Sequence, residues 1–395
     1  MKKNKFIFAL PFLFYFSFLW RLPIFSEASI NLLDILLILA ILTGIISIYK
    51  KNLFTDFKSY WLKNNFFISF LLILFAFGAS LSWIMNFSTN NWTNGLGILK
   101  SFLILPILFS LFLVFFIKKN YFTFSDIFKY FFVSVSLLSF WGIINIITNS
   151  LTFDGRLKVF YDSPNHFAMI LSPAIIFGIW LLFFNNKKFL EIKHAHLVII
   201  ALISLILNLI FTKSLGAITA TLLSIFFIYL SKKESLEKLF KKTLLLLLFL
   251  STIFVMNTSF FNNFFPADLH DSTGSRIAIY QSAKKLISDN FIWGIGPGNF
   301  QTKYLEYQKF FAPYPEWAIP HAHNNSLHIY VELGFLAVIA FLALIFLKLL
   351  SKKERSQEKI LALSLLIYFL IHGIFDTTIW QNDTSFLFWF VFLLL

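Results

Sequence analysis

Three sets of residues in this chain have the types and spacing to do chemistry. The first is Arg156, in DGRLKVFYDSPNHFAM. Pro164 and Asn165 then open a helix, where proline gives up an N–H that the first turn does not need. A guanidinium beside such a start makes an anion site, because its forked donors converge with free backbone N–H groups. The alternative is an arginine lying against lipid headgroups. The second is Arg276, at the front of SRIAIYQSAKKLIS. The helix dipole disfavours a cation in a first turn by some tenths of a kcal/mol, so Arg276 is mildly odd unless it faces an anion, and a solvated side chain is an equal alternative. The third is PHAHNNSLHIYVELG, with His321, His323, Asn324, His328, Glu332 and Gly334. Histidine is the side chain best suited to moving a proton near neutral pH. Its competing roles are structural packing and metal binding. Metal is the weaker of these: His-x-His does not supply the i, i+4 pair of zinc enzymes, and no carboxylate sits at matching spacing. No metal and no cofactor are therefore expected.

Other groups carry less. GIGPG, with Gly294, Gly296 and Gly298, follows no strand, and its proline removes a backbone donor, so it reads as a turn and not a phosphate loop. His372 and Asp376 stand at i, i+4 near the end of a late span; a structural pairing with each other is the first reading, lining the same cavity the second. Asp34, early in a span, is read as an end residue snorkelling to the surface. Lys213 sits in FTKSLGAITA, between two spans joined by a very short turn, and is placed for the same cavity as the arginines.

The elements that must position these residues are membrane helices. Of 395 residues, 58% are hydrophobic and 13% charged, more apolar surface than a soluble domain of this size can hide. FFISFLLILFAFGASLSWIM and TLLLLLLFLSTIFVM are nearly charge-free over the ~20 residues that a helix needs to cross ~30 Å of hydrocarbon. A transmembrane barrel would alternate apolar and polar residues instead. Spans are expected at about 6–20, 30–48, 65–85, 97–117, 127–148, 164–184, 195–211, 214–230, 243–261, 325–348, 359–375 and 384–395. The first is read as a retained helix, since no small-x-small cleavage site follows it.

The net charge of +14 raises nucleic acid as a partner, but the lysines cluster in short connections between spans, as membrane anchors do. Segments assigned to the cytoplasm hold 22 Lys and Arg against nine on the other side, so both termini are expected in the cytoplasm. The nine include Arg156, Lys213 and Arg276, which places every candidate site residue on one outer face. With no cysteine, disulfides and thiolate metal sites are excluded. The expected division is 1–261, nine spans; 262–324, an outer loop region with an amphipathic helix whose apolar positions are Ile277, Tyr280, Ala283 or Lys284, and Ile287; and 325–395, three spans. Asp271, Ser272 and Thr273 are its cap candidates.

These residues, in this order, resemble the O-antigen ligase and polymerase superfamily of bacterial lipid-linked glycan enzymes. The matching features are Arg156 followed by Pro164 and Asn165, a tight two-span hairpin, then a large loop. That loop carries Ser275 and Arg276, Gly294, Gly296 and Gly298, and His321, His323 and Asn324, with Glu332 and Gly334 in the span beyond it. His323, Asn324 and Gly334 satisfy the ligase spacing of His-Asn, nine residues, Gly. A second glycine three positions later is Ala337 here, which leaves polymerase open beside ligase. The likeness runs from about 150 to 376.

The resemblance implies an all-α, GT-C-like polytopic membrane protein of about 12 spans in the bacterial inner membrane, its active site periplasmic. It implies a metal-independent inverting glycosyltransferase. Such an enzyme moves a glycan from undecaprenyl diphosphate to an acceptor hydroxyl, on lipid A core for a ligase or on another carrier-linked glycan for a polymerase. His323 is then the general base. Arg156 and Arg276 bind the diphosphate, and Asn165, Asn324, His321 and Lys213 line the substrate site. The bilayer is the other partner. A lipid-linked glycan transporter is the rival of another class; it would place charges mid-span and break helices in matching halves.

Overall fold

The computed structural model describes residues 2–16, 20–25, 28–87, 92–184, 192–231, 272–310, 319–350 and 356–395. The span expected at 243–261, the cap candidate Asp271 and the lysine cluster between Lys232 and Lys242 lie outside them. Seven helices among the described residues are long and apolar enough to cross a membrane, and three shorter apolar ones accompany them. The chain is thus a helical polytopic membrane protein.

In chain order, α1 (Lys2–Leu13) is followed by a small antiparallel hairpin, β1 (Arg21–Phe25) and β2 (Ala28–Asn31). Sequence reading missed this hairpin: five and four residues broken by Pro23 give no sustained alternation. Next come α2 (Leu32–Lys50), α3 (Phe54–Ser59) with a π turn to Asn64, and α4 (Phe66–Met85). Then α5 (Trp92–Ile98) runs through a π segment into α6 (Leu105–Lys118), followed by α7 (Phe124–Ile147), α8 (Pro164–Phe183), α9 (Ile192–Phe211) and α10 (Leu215–Leu230). After the loop region's α11 (Ser272–Asp289) and α12 (Phe300–Tyr307), the chain closes with α13 (Asn325–Leu350), α14 (Gln357–Phe375) and α15 (Asn382–Leu394).

Polar residues set the ends of these apolar rods. Ser163 caps α8 by accepting from the His166 N–H at 3.1 Å, with Pro164 next to it. Thr123 and Asp126 form a capping box on α7. Asn31 caps α2 through the Asp34 N–H. Asp34 itself does not snorkel. It is buried, with Lys100 Nζ and Ser101 Oγ each at 2.8 Å, because α5–α6 brings both partners across from it. A lone lysine and a lone aspartate, each costly at membrane depth, neutralise one another.

The last helix explains where the site can form. Every residue of α15 from Asp383 to Leu394 is buried, with Phe386 and Phe390 against Phe12. Residues 376–381, between α14 and α15, are non-helical, and 376–380 are buried. Such backbone is tolerated at depth only where protein satisfies its polar groups, and here Asn325 does so: its Nδ2 donates to Thr378 Oγ1 at 2.9 Å and its Oδ1 accepts from the Ile379 N–H at 3.3 Å.

Four glycines lock the loop region to α13. Gly294, Gly296 and Gly298 have φ of +67°, +87° and +80°, and Gly334 breaks α13 with φ +77°. The two runs of backbone meet directly, as Ile295 N–H donates to Val331 O, Gly296 N–H to Glu332 O and Phe335 N–H to Ile292 O. GIGPG is a turn, as expected, and it also seals the kink. A Cβ on Gly334 would lie 2.3 Å from Ile292 O, a backbone atom that cannot step aside. Gly334→Ala should therefore cost at least ~3 kcal/mol, since positive φ alone costs about 1–3. Thermal unfolding in detergent checks this against Gly97→Ala, a helical site with nothing within 4 Å, which should leave the midpoint unchanged or raise it.

Candidate active site

Arg156 is positioned by a tight loop. Thr152 closes it, accepting from the Arg156 N–H through Oγ1 at 3.0 Å while its own N–H donates to Arg156 O at 2.9 Å; Gly155 supplies the positive φ between them. The Leu157 N–H then donates to Phe211 O, which ties the loop to the end of α9. The guanidinium crosses the gap: Nε donates to Thr212 O at 2.8 Å and Nη2 to Asn165 Oδ1 at 2.7 Å. Among the described residues its Nη1 edge makes only a long contact with Asp154, at 3.9 Å, and is the edge available to an anion. Arg156 is therefore not a lipid-facing arginine. Asn165 holds it in place, and Lys213, whose Nζ donates to Asp154 O at 3.1 Å, braces the same loop from the α9–α10 turn.

The loop region brings Arg276 to this neighbourhood. Helix α11 exists where expected, but its buried stripe is Ile279, Ser282, Ala283 and Leu286, which packs on Ile295, Phe300, Tyr304, Ile319 and Ala322 in a small core of its own. Of the apolar positions expected, Tyr280, Ala283 and Ile287 pack on this core, and Ile279 and Leu286 widen the face. Arg276 lies half-buried one turn before Tyr280. Its charge reaches Arg156: burial lowers the Arg156 pKa first, Asp154 opposes that, and the Arg276 cation lowers it further. Two guanidinium groups held near one another favour a ligand with two negative charges.

His323 sits where the loop enters α13, with φ +47°, a conformation few side chains adopt without a reason. The end of α14 and the start of α13 hold it there. Ile374, with a carbonyl left over by the end of α14, accepts from Asn324 Nδ2 at 3.1 Å and from Tyr280 Oη at 3.4 Å. The one Tyr280 hydroxyl proton is shared with His323 O, which lies closer, at 3.1 Å. Asn324 in addition caps α13, its Oδ1 accepting from the Leu327 N–H at 2.9 Å. Both ends of its amide are engaged in structure.

Asp376 completes the site. Sequence reading paired it first with His372, yet the His372 ring is hydrogen-bonded to Tyr368 Oη at 2.8 Å. The carboxylate instead meets His323 Nδ1 at 3.1 Å and lies 3.9 Å from His321 Nε2. The His321 and His323 rings stand edge to face, 4.5 Å apart. Burial would raise the Asp376 pKa, but the histidines around it, His323 first, outweigh that and hold it well below the usual carboxylate range. Asp376 is thus the acceptor and His323 Nδ1 the donor, so in the neutral ring Nε2 carries the lone pair. Burial, then His323, push His321 down to about 4, so at neutral pH it is neutral. The signal that could have found Asp376 was its type: a carboxylate at the end of an apolar span is costly without a partner.

His328 and Glu332 are not part of this cluster. Glu332 accepts from Trp380 Nε1 at 3.1 Å and from the Phe300 N–H at 3.2 Å, with His328 Nε2 3.7 Å away. It fastens the glycine turn and the 376–381 segment to α13.

No curated protein matches the chain. Residues 198–342 match the family model described as O-antigen ligase, a stretch that runs from α9 into α13. It takes in Lys213, Arg276, His321, His323 and Asn324, while Arg156, Asn165 and Asp376 lie outside it and join the site through the fold. Members of that family are glycosyltransferase-like enzymes, and over this stretch the chain is similar to them.

Proposed function

We propose that this chain is an inverting, metal-independent glycosyltransferase that moves a glycan from undecaprenyl diphosphate to an acceptor hydroxyl on the periplasmic face of the inner membrane. The observation that carries the reading is the His323–Asp376 pair, 3.1 Å apart, beside two arginines close enough to sense each other's charge. His323 Nε2 takes the proton of the attacking hydroxyl, and Asp376 holds the ring and stabilises the imidazolium that forms. Arg156 and Arg276 hold the carrier diphosphate, on which negative charge grows as the anomeric bond breaks. Asn165 and Lys213 position Arg156, and Asn324 and His321 frame the imidazole. Attack in one displacement inverts the anomeric carbon. Twelve spans in a GT-C-like layout, with both termini cytoplasmic, put this site on the outer face.

Between acceptors, Ala337 in place of the second ligase glycine favours a polymerase as the second reading. The glycan profile of a deletion strain separates them. A ligase's loss leaves full-length carrier-linked polymer untransferred, and a polymerase's loss leaves chains of a single repeat. An unchanged profile in both fractions would remove the glycan-transfer reading.

A further inference from the structure

Sequence spacing offers the two histidines no carboxylate partner, but the fold brings one from 53 residues away. His321, His323 and Asp376 present one ligand atom each, all within 4.8 Å of one another. Zinc bonds of about 2.0–2.2 Å to nitrogen and oxygen set tetrahedral ligand separations near ~3.4 Å. The observed 3.1 Å from His323 Nδ1 to Asp376 and 3.9 Å from His321 Nε2 lie close to that, and the two imidazole nitrogens, within 4.8 Å of each other, need a shift of at most ~1.4 Å to match. Two imidazoles and a carboxylate suit Zn²⁺ and its neighbours, not Mg²⁺ or Ca²⁺.

We propose that these three residues form a transition-metal site whose occupation by Zn²⁺ switches the enzyme off. The inhibitory half rests on His323 being the base; the binding half does not. Metal-free, His323 keeps its proton on Nδ1 against Asp376 and its lone pair on Nε2. Zinc bonds to Nδ1, so the neutral ring must carry its one proton on Nε2, and that nitrogen can no longer accept from a hydroxyl. Asp376 is drawn onto the metal at the same time. The cations of Arg156 and Arg276 nearby weaken the hold on a dication, as a reversible inhibitor requires and a resident cofactor does not.

The test uses the full chain in nanodiscs after dialysis against a chelator, with Co²⁺ as spectroscopic probe and Zn²⁺ as competitor. The intact chain should take up one equivalent of cobalt with tetrahedral d–d bands that zinc abolishes. Asp376→Asn and, as the milder change, His321→Gln should each lose those bands. Zinc should lower transfer from a carrier-linked donor by ~100-fold or more, and a chelator should restore it. No cobalt uptake, or bands that persist in both variants, overturns the site. Zinc seated with transfer at full rate overturns the inhibitory mechanism and the base assignment together, while the cobalt bands still report the site.

Discussion

Replacing His323 with alanine is expected to lower glycan transfer by about 100- to 10,000-fold, the range that a positioned proton acceptor contributes. The assay is release of carrier diphosphate or formation of product in membranes holding equal amounts of folded chain. Because His323 sits at φ +47°, alanine adds backbone strain, so His323→Asn is the cleaner variant: asparagine tolerates that region and cannot serve as the base. Asp376→Asn should come within the same range while keeping the shape of the site. An amide can donate to Nδ1, which would move the ring's proton to Nε2 and occupy the lone pair that the reaction needs. Transfer at the unmodified rate in His323→Asn removes this residue from the mechanism.

The arginines should show a different pattern. Arg276→Ala is expected to lower kcat/KM for the donor by about 100- to 1,000-fold, the loss typical of one charge-stabilising group in a transition state. The KM for the acceptor should be little changed. Arg156 needs a gentler change, since its Nε and Nη2 also staple Thr212 to Asn165. Arg156→Lys keeps the charge and loses the fork. Two groups on one diphosphate act together, so the double variant should lose less than the product of the single losses. Donor kinetics left intact in Arg276→Ala, with folding normal, would remove the diphosphate clamp.

Much of this architecture is legible in the sequence, and the reason is physical. A bilayer forces each crossing to be a long apolar helix, so runs such as 66–85 and 164–183 declare themselves, and Pro164 marks the start of its helix to the residue. Charge at the ends of spans, and the order of Arg156, Arg276 and His323, also survive as one-dimensional patterns. Contacts made across the fold do not. Nothing in HGIFDTTIW says that Asp376 turns from His372 toward His323, because that depends on α14 ending at Phe375 and the chain dipping inward before α15. The pairing of Asp34 with Lys100 needs two spans to meet. Gly334 was visible as a motif, but its role at a kink sealed by Ile292 and Gly294 depends on a contact 40 residues distant in the chain. The face of α11 was legible through Tyr280, Ala283 and Ile287, but the local core that it covers is not revealed by sequence alone.

Two guanidinium groups and one imidazole are expected to serve one transfer, the arginines holding the carrier diphosphate and His323 taking the acceptor's proton. The most direct measurement is an experimental structure of the full chain in nanodiscs with undecaprenyl diphosphate bound. The diphosphate is expected between Arg156 Nη1 and Arg276, with His323 Nε2 across the space for the anomeric carbon and Asp376 still on Nδ1. A diphosphate bound elsewhere in the membrane region, with Arg156 and Arg276 turned from it, would contradict the account.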